Sequence, residues 1–375
     1  MASLESAHNY EAAYGKMITT SLEGSGGSYS EEQGDEKFFN GGGTGSSDGQ
    51  AAVLDGARRW KPAYKLFVSI SAISSCFVIT CATSIYIASI PGIMKEFDVG
   101  ITLAISPITF YAIGFVVGPM FTAALSEEFG RQYIFKASLL LHLVFTIVGG
   151  SAQNFRTLAV ARGMCGILGS PCVTVFAGVL NDLWKMPEEK IATALFGMYG
   201  MMGVAASAMG PIAGEAIVSD RDWRWSFWLT AMLVGVCFLA MITVPETYGP
   251  EIQRKKLKKP RSGLSEVLGP AFVRPFHMLM VEPIIPPTAA IVTMGQVVVF
   301  VFYATYPSML ETQYNFTAYQ VGLSFIPLLI GTLFALPVLS ATLKRRNKPG
   351  SNPQPEDFLP AAMIAGVVLP LSLFW

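Results

Sequence analysis

The chain has 375 residues, of which 52% are apolar and only 14% charged, and its net charge is zero. A soluble domain of this length carries about a quarter charged residues, so the composition excludes an ordinary soluble domain and fits a protein whose surface faces lipid. All five Cys fall inside apolar runs, without a CxxC or a Cys/His cluster, so no disulfide framework, metal site or cofactor is implied.

Taken in chain order, the first 57 residues are rich in Gly, Ser and acids and poor in aliphatic residues. Such a segment cannot bury enough apolar surface to fold, and we expect a disordered tail over residues 1–65. Its polar start argues against a cleavable signal peptide. Then come apolar runs long enough to cross a bilayer, at about 20 residues each: 66–90, 102–125, 133–152, 157–180, 191–218, 225–244, 284–309, 319–343 and 358–375.

Lys and Arg crowd into alternate connections. Arg58, Arg59, Lys61 and Lys65 precede the first run, Arg131 and Lys136 follow the second, and Lys185 and Lys190 follow the fourth. Arg254 to Arg274 follow the sixth, and Lys344 to Lys348 the eighth. The other connections hold only Lys95, Arg156, Arg221 and Arg224. The positive-inside rule then places the N-terminus in the cytoplasm. The sequon Asn315-Phe316-Thr317 falls outside, where Asn315 is available for glycosylation.

Several positions carry more than hydropathy. Between the second and third runs stands Leu125-Ser126-Glu127-Glu128-Phe129-Gly130-Arg131. Glu127 can accept charge-assisted hydrogen bonds, Arg131 can fork to a carboxylate, and Gly130 permits a tight turn. Such contacts can latch one side shut; the plainer alternative is an ordinary basic loop. Arg162 lies inside the fourth run, where a charge is costly and faces a cavity or a partner, unless it snorkels outward as nearby Arg156 suggests.

In the fifth run, Gly197, Gly200, Gly203, Ala206, Gly210 and Gly214 give low-relief faces for close helix approach. Pro211 bends that helix. Glu215 beside them reads either as an exposed helix-end carboxylate or as a titrating gate. His142 and Asp182 are further polar residues in apolar surroundings, and the lone His reads first as a packed one. Tyr86, Tyr111, Phe196, Tyr199, Gln296 and Tyr303 are candidates for lining a cavity. Trp223-Arg224-Trp225-Ser226-Phe227-Trp228 opens the sixth run and reads as an interfacial anchor.

These motifs, together with Pro245-Glu246-Thr247-Tyr248-Gly249-Pro250, Arg274-Pro275-Phe276 and Glu282-Pro283, agree in order and spacing across residues 66–375 with a known family. The chain resembles the major facilitator superfamily, and within it the fungal twelve-span drug:proton antiporters. The resemblance implies an all-α polytopic membrane protein, not an enzyme. Its plan would be a six-span bundle over 66–244, a basic cytoplasmic linker over 245–277, and a partial second bundle over 278–375.

It also implies roles. Glu127, Gly130 and Arg131 would form a gating latch. Arg162, with Asp182 and Glu215, would serve proton coupling or line the cavity. Gly210, Pro211 and Gly214 would be the antiporter motif. The chain departs from the pattern at Gln132, where a second Arg is frequent, at Cys165, where a Gln is usual, and at Glu215, where a Gly often stands.

The implied function is proton-coupled efflux of small amphiphilic molecules such as drugs, fungal secondary metabolites or polyamines, across the plasma membrane by alternating access. The partners would be the small-molecule substrate, protons and the lipid bilayer, with no nucleic acid and no cofactor. Alternatives are a passive facilitator of the same fold or a non-transporting truncated remnant, because the resemblance ends inside the ninth run. The expectation is that 375 residues alone do not export substrate. Efflux and drug-sensitivity assays in transporter-deficient yeast expressing this chain check it.

Overall fold

A computed structural model describes residues 57–184, 190–257, 273, 276–346 and 363. Residues 1–56 of the expected N-terminal tail, most of the basic linker and all of the ninth apolar run except Met363 lie outside the described residues; the end of the expected tail is ordered instead, since a helix begins at Pro62 and buries Lys65. The elements are α1 (Pro62–Ser84), a 3-10 turn (Ile85–Ser89), α2 (Ile90–Phe97), α3 (Ile101–Phe129), α4 (Arg131–Gly150) and α5 (Phe155–Leu183). There follow α6 (Lys190–Val218), α7 (Arg224–Ile242), α8 (Gly249–Leu257), α9 (Ile285–Tyr314), α10 (Ala318–Leu323) and α11 (Ile326–Arg346).

Seven of these helical stretches are long and apolar enough to span a membrane among the described residues. In hydrocarbon a backbone finds no water, so the helix, which bonds every interior N–H and C=O to itself, is what such runs must form. The polarity pattern is turned outward accordingly. Val116, Val160, Val236 and Leu239 are each at least 65% exposed. Ser71, Ser75, Ser138, Thr146, Ser226 and Thr230 are buried. Buried hydroxyls lose little here because they donate back along their own helices, as Ser75 Oγ does to Ser71 O at 2.8 Å and Thr230 Oγ1 does to Ser226 O at 2.8 Å.

α1 buries Val68, Ala72, Cys76, Ile79 and Ala82, a stripe at helical spacing. α5 lies at the centre, with Leu158, Cys165, Cys172, Val175, Phe176, Val179 and Leu183 all buried. Its start is capped by Asn154, whose side chain accepts the Thr157 N–H at 2.8 Å. α3 and α5 touch through glycines: a Cβ at Gly166 would run into the Tyr111 backbone, and one at Gly118 into Ser170.

The fifth expected run behaves in two parts. Gly210 and Gly214 of α6 are pressed against the end of α1, where added Cβ atoms would strike Ile85 N at 2.7 Å and Ala88 Cβ at 2.8 Å. Gly200 and Gly203 of the same helix have nothing within 4 Å of such a Cβ. Among the described residues, the low-relief face is packed in its second half.

Two sequence expectations change. The eighth run is two helices, broken at Ser324-Phe325, where Pro327 has no N–H to bond Leu323 O and carry α10 onward; Phe325 is fully buried in a cluster with Tyr303, Leu310 and Val321. The Trp223 ring is not a lipid-facing anchor. It is 2% exposed, and its Nε1 donates to Glu96 Oε2 at 2.6 Å. Arg224 Nη2 bonds Glu96 Oε1 at 2.6 Å and Ala152 O at 3.1 Å, tying three connections together at one end of the helices.

Gly166→Val should overpack the α3–α5 contact at a cost of about 1–3 kcal/mol. Gly235→Val, where a Cβ meets open space, should leave stability unchanged. Thermal unfolding in detergent compares the two.

Candidate functional site

The most connected polar site lies at the end of the helices that carries Gly130. α3 passes into α4 through this single residue, whose φ is +98°. Only a glycine takes that backbone conformation without strain. A Cβ there would also fall on the Glu246 carboxylate.

Glu246 comes from the segment after α7 and caps the start of α4. Its Oε1 accepts the Arg131 N–H at 3.0 Å and its Oε2 the Gln132 N–H at 3.3 Å. Oε1 also takes the N–H groups of Thr247 at 3.1 Å and Tyr248 at 3.0 Å. A carboxylate on the open donors of a helix start is matched to the local positive potential.

The Arg131 side chain turns the other way. Its Nε donates to Asp182 Oδ2 at 2.6 Å, and its guanidinium lies 4.9 Å from the Tyr248 ring centre. Gly178, one turn before Asp182, leaves the space for it, since a Cβ there would collide with the guanidinium. Partial burial, then the charge of Glu127, push the Tyr248 phenol up from its ordinary value, and Arg131 opposes them. α8 adds Arg254, whose Nη1 bonds Glu128 Oε1 at 2.7 Å and whose Nη2 meets Glu251 Oε2 at 2.5 Å. Lys136 Nζ donates to Ile242 O at 3.1 Å and Val244 O at 2.6 Å, closing the end of α7.

The loop between the second and third expected spans is thus joined to the ends of α5 and α7 and to α8. Gly130 and Arg131 stand at the centre. Glu127 is exposed, and the ion pair to α8 is made by its neighbour Glu128. Asp182, expected near the coupling site or cavity, belongs to this end as the Arg131 partner. Glu246 was missed as a site residue. Its signal was an acid fixed between Pro245 and Thr247, right after an apolar span. Gln132, which stands where a second Arg is frequent, is buried, and its amide meets no partner among the described residues.

Arg162 forms a second site inside the helices. It is 4% exposed, so it does not snorkel to an interface. Nη1 donates to Ala82 O at 3.0 Å and Nη2 to Thr83 O at 3.4 Å. The guanidinium lies 4.5 Å from the Tyr111 ring centre and 4.9 Å from that of Tyr86. No carboxylate pairs with it among the described residues, so carbonyls and aromatic faces carry the charge. Its Nε–H has no partner among the described residues, and the side chain borders a cavity of ≈ 10 Å³ together with Thr146, Cys165, Ser226 and Thr230. That is room for about one water. Cys165, at the position where a Gln is usual, accepts no hydrogen bond from the guanidinium among the described residues; its Sγ lies with Thr146 and His142 O.

The remaining expected residues lie apart. Glu215 is 7% exposed, which corrects the exposed-carboxylate reading; it is covered by α10 at Gly322. Pro211 is buried beside the packed Gly210 and Gly214. Asn315 is exposed, in a left-handed conformation (φ 50°) that ends α9. Tyr86 and Tyr111 sandwich Arg162, Tyr199 stacks on Phe176 at 4.6 Å with Phe196 nearby, Tyr303 packs against Phe325, and Gln296 is exposed. His142 is fully buried, with its Nδ1 at 3.0 Å from Cys165 O, and so is packed as first expected.

Comparison with known proteins identifies the family of the fold. The Major Facilitator Superfamily model matches residues 72–375. The chain belongs to that superfamily, a family of multi-pass membrane transporters rather than enzymes. The MFS-type transporter paaT of Penicillium rubens is 30% identical over 295 residues, covering 74% of this chain and 53% of its own length. The cycloheximide resistance protein of Candida maltosa is 26% identical, covering 84% of this chain and 62% of its own. Polyamine transporter 4 of Saccharomyces cerevisiae is 27% identical, covering 86% and 55%.

The chain therefore spans less than two thirds of the length of these relatives. Among solved structures, the partially occluded inward-open xylose transporter XylE of E. coli superposes with a TM-score of 0.55 at 15% identity, covering 76% of this chain and 73% of that one. The human organic anion transporter MFSD10 gives 0.52 at 16% identity, covering 78% and 74%. At these identities the likeness is one of fold.

Glu246→Ala should free the Arg131 and Gln132 amides at the start of α4, a loss of about 1.5–3 kcal/mol for bonds to a charged acceptor. Hydrogen exchange at those amides should speed up, while exchange in the middle of α5 stays as it was.

Proposed function

We propose that this transporter exports small amphiphilic molecules, such as drugs, fungal secondary metabolites or polyamines, by proton-coupled antiport and alternating access. Residues 66–244 form one rocking bundle, 245–277 a cytoplasmic linker, and the helices from 278 onward belong to the second bundle. The Gly130 end faces the cytoplasm, and the Asn315 end faces outward at the plasma membrane, with Asn315 glycosylated.

The observation that carries the reading is the polar network around Arg131. It joins four chain segments at one end of the helices by ion pairs and a helix cap rather than by apolar packing. Contacts of this kind are strong while assembled and can be exchanged for water when that end opens. The network is thus a latch, with Gly130, Arg131, Asp182 and Glu246 as its parts and Glu127 beside it. Arg162 supplies a fixed charge for proton coupling, in a place where burial makes any nearby charge change costly. The names of relatives, a cycloheximide resistance protein, an efflux pump and a polyamine transporter, support export and the breadth of substrates.

In a full-length form of the protein, Arg131→Ala should slow export at least about tenfold, as expected for loss of a partly buried ion pair of about 1.4 kcal/mol or more, with membrane insertion intact. Arg162→Ala should abolish pH-dependent export, and Arg162→Lys should retain part of it, since Lys keeps the charge but loses the fork. Transport that ignores the pH gradient in the unaltered protein would favour a passive facilitator instead. For orientation, an impermeant thiol reagent on intact cells should label a Cys introduced near Tyr314 and spare one introduced near Lys256.

A further inference from the structure

Arg162 leaves one buried donor over. Its Nη1 and Nη2 reach the carbonyls of Ala82 and Thr83 near the end of α1. The Nε–H is buried and meets no partner among the described residues. A buried N–H in that condition is costly, the more so on a charged group. The same side chain borders the ≈ 10 Å³ cavity, whose other walls come from α4, α5, α7 and the 3-10 turn.

The walls decide what the cavity can hold. Thr146 Oγ1 gives its proton to His142 O at 2.7 Å, and Thr230 Oγ1 gives its own to Ser226 O at 2.8 Å. Ser226 Oγ donates to Trp223 O at 2.9 Å and also meets Ser89 Oγ at 2.6 Å. The Tyr86 hydroxyl is taken up by Ala104 O at 2.9 Å. Each of these hydroxyls has a single proton, already placed on a carbonyl, so only lone pairs remain for an occupant. Among the described residues, the cavity thus presents one strong donor, the Nε–H, and several acceptors. A halide would gain from the Arg162 charge but would face oxygen lone pairs on its other sides. A water fits both the balance and the volume: it can accept one hydrogen bond and donate two.

We propose that this cavity is a site for one bound water, which accepts the Arg162 Nε–H and donates to Thr146 Oγ1 and Thr230 Oγ1. A bridging water of this kind is nearly as good as a direct hydrogen bond. Through it, α4 and α7 help to hold a guanidinium that α1 holds directly. Thr146 and Thr230 are then positioning residues for Arg162, and they act on it through the water. The proposal stands apart from the antiport reading, since it concerns how the charge is held and not what crosses the membrane.

Radiolytic hydroxyl-radical footprinting reads bound water directly, because an X-ray pulse splits the water where it sits and the radical marks the side chains around it. The 375-residue chain is placed in lipid nanodiscs, and oxidation is followed by mass spectrometry. Cys165, on the cavity wall, should be oxidised faster than Cys76, which is also buried but does not border the cavity. Equal rates at the two thiols in the unaltered chain would overturn the proposal. Thr146→Val with Thr230→Val keeps the shape and removes both acceptors, so Cys165 should slow to the level of Cys76. Thr146→Ser with Thr230→Ser keeps the hydroxyls and should retain the fast rate. A Val pair that remains as fast as the unaltered chain would also sink the assignment. Cys76 reports on the fold in every variant; if the Val pair speeds Cys76, the single Val variants are compared instead, and each should lower the ratio of the two rates. Replacing chloride by gluconate separates water from an ion. The ratio should not change. A ratio that rises on withdrawal of chloride means that a chloride had held the place, and the water proposal fails.

Discussion

Hydrocarbon offers no hydrogen bonds, and the rest of this structure follows from that constraint. Each long apolar run must satisfy its own backbone, so it becomes a helix, and the strong polar contacts concentrate where the helices end. Between the helices, apolar burial gives no preference over lipid, so close approach depends on small residues and hydroxyls. Gly114, Gly118 and Gly166 let α3 and α5 meet almost backbone to backbone, and Gly210 with Gly214 does the same for α6 and the end of α1.

The two ends are built differently. At the end carrying Glu96 and Arg224, the contacts are mixed: Trp223 packs its ring against Phe97 and Phe227 while donating its N–H to Glu96. That arrangement joins connections within the first six spans. At the Gly130 end the contacts are nearly all polar, and they run through a glycine turn that tolerates no side chain. The same chemical means, an Arg on a carboxylate with an aromatic ring beside it, serves at both ends: Arg224 with Glu96 and Trp223, Arg131 with Asp182 and Tyr248.

Arg162 shows how a charge is kept in the interior without an ion pair. Two carbonyls near the end of α1 and two tyrosine faces carry it, and the residue borders a water-sized cavity. Pairing it with a buried carboxylate would have offset the charge at a desolvation cost often as large as the gain. The unpaired arrangement keeps a positive charge inside the bundle.

Much was legible in the sequence because its signals are local. Runs of about 20 apolar residues must be helices in lipid, and the alternation of Lys and Arg follows from charge alone. The motif spacing identified the superfamily, and Gly130 announced a turn. What the sequence could not decide is which residues from distant spans meet. Glu246 caps α4 from more than a hundred positions away, Glu128 rather than Glu127 takes the ion pair, and Asp182 belongs with Arg131. Glu215 looked like a helix-end acid because exposure depends on what packs over it, and only the tertiary structure brings Gly322 there. The break at Ser324-Phe325 had a local sign in Pro327, but the burial of Phe325 among Tyr303, Leu310 and Val321 did not, because it depends on helices distant in sequence.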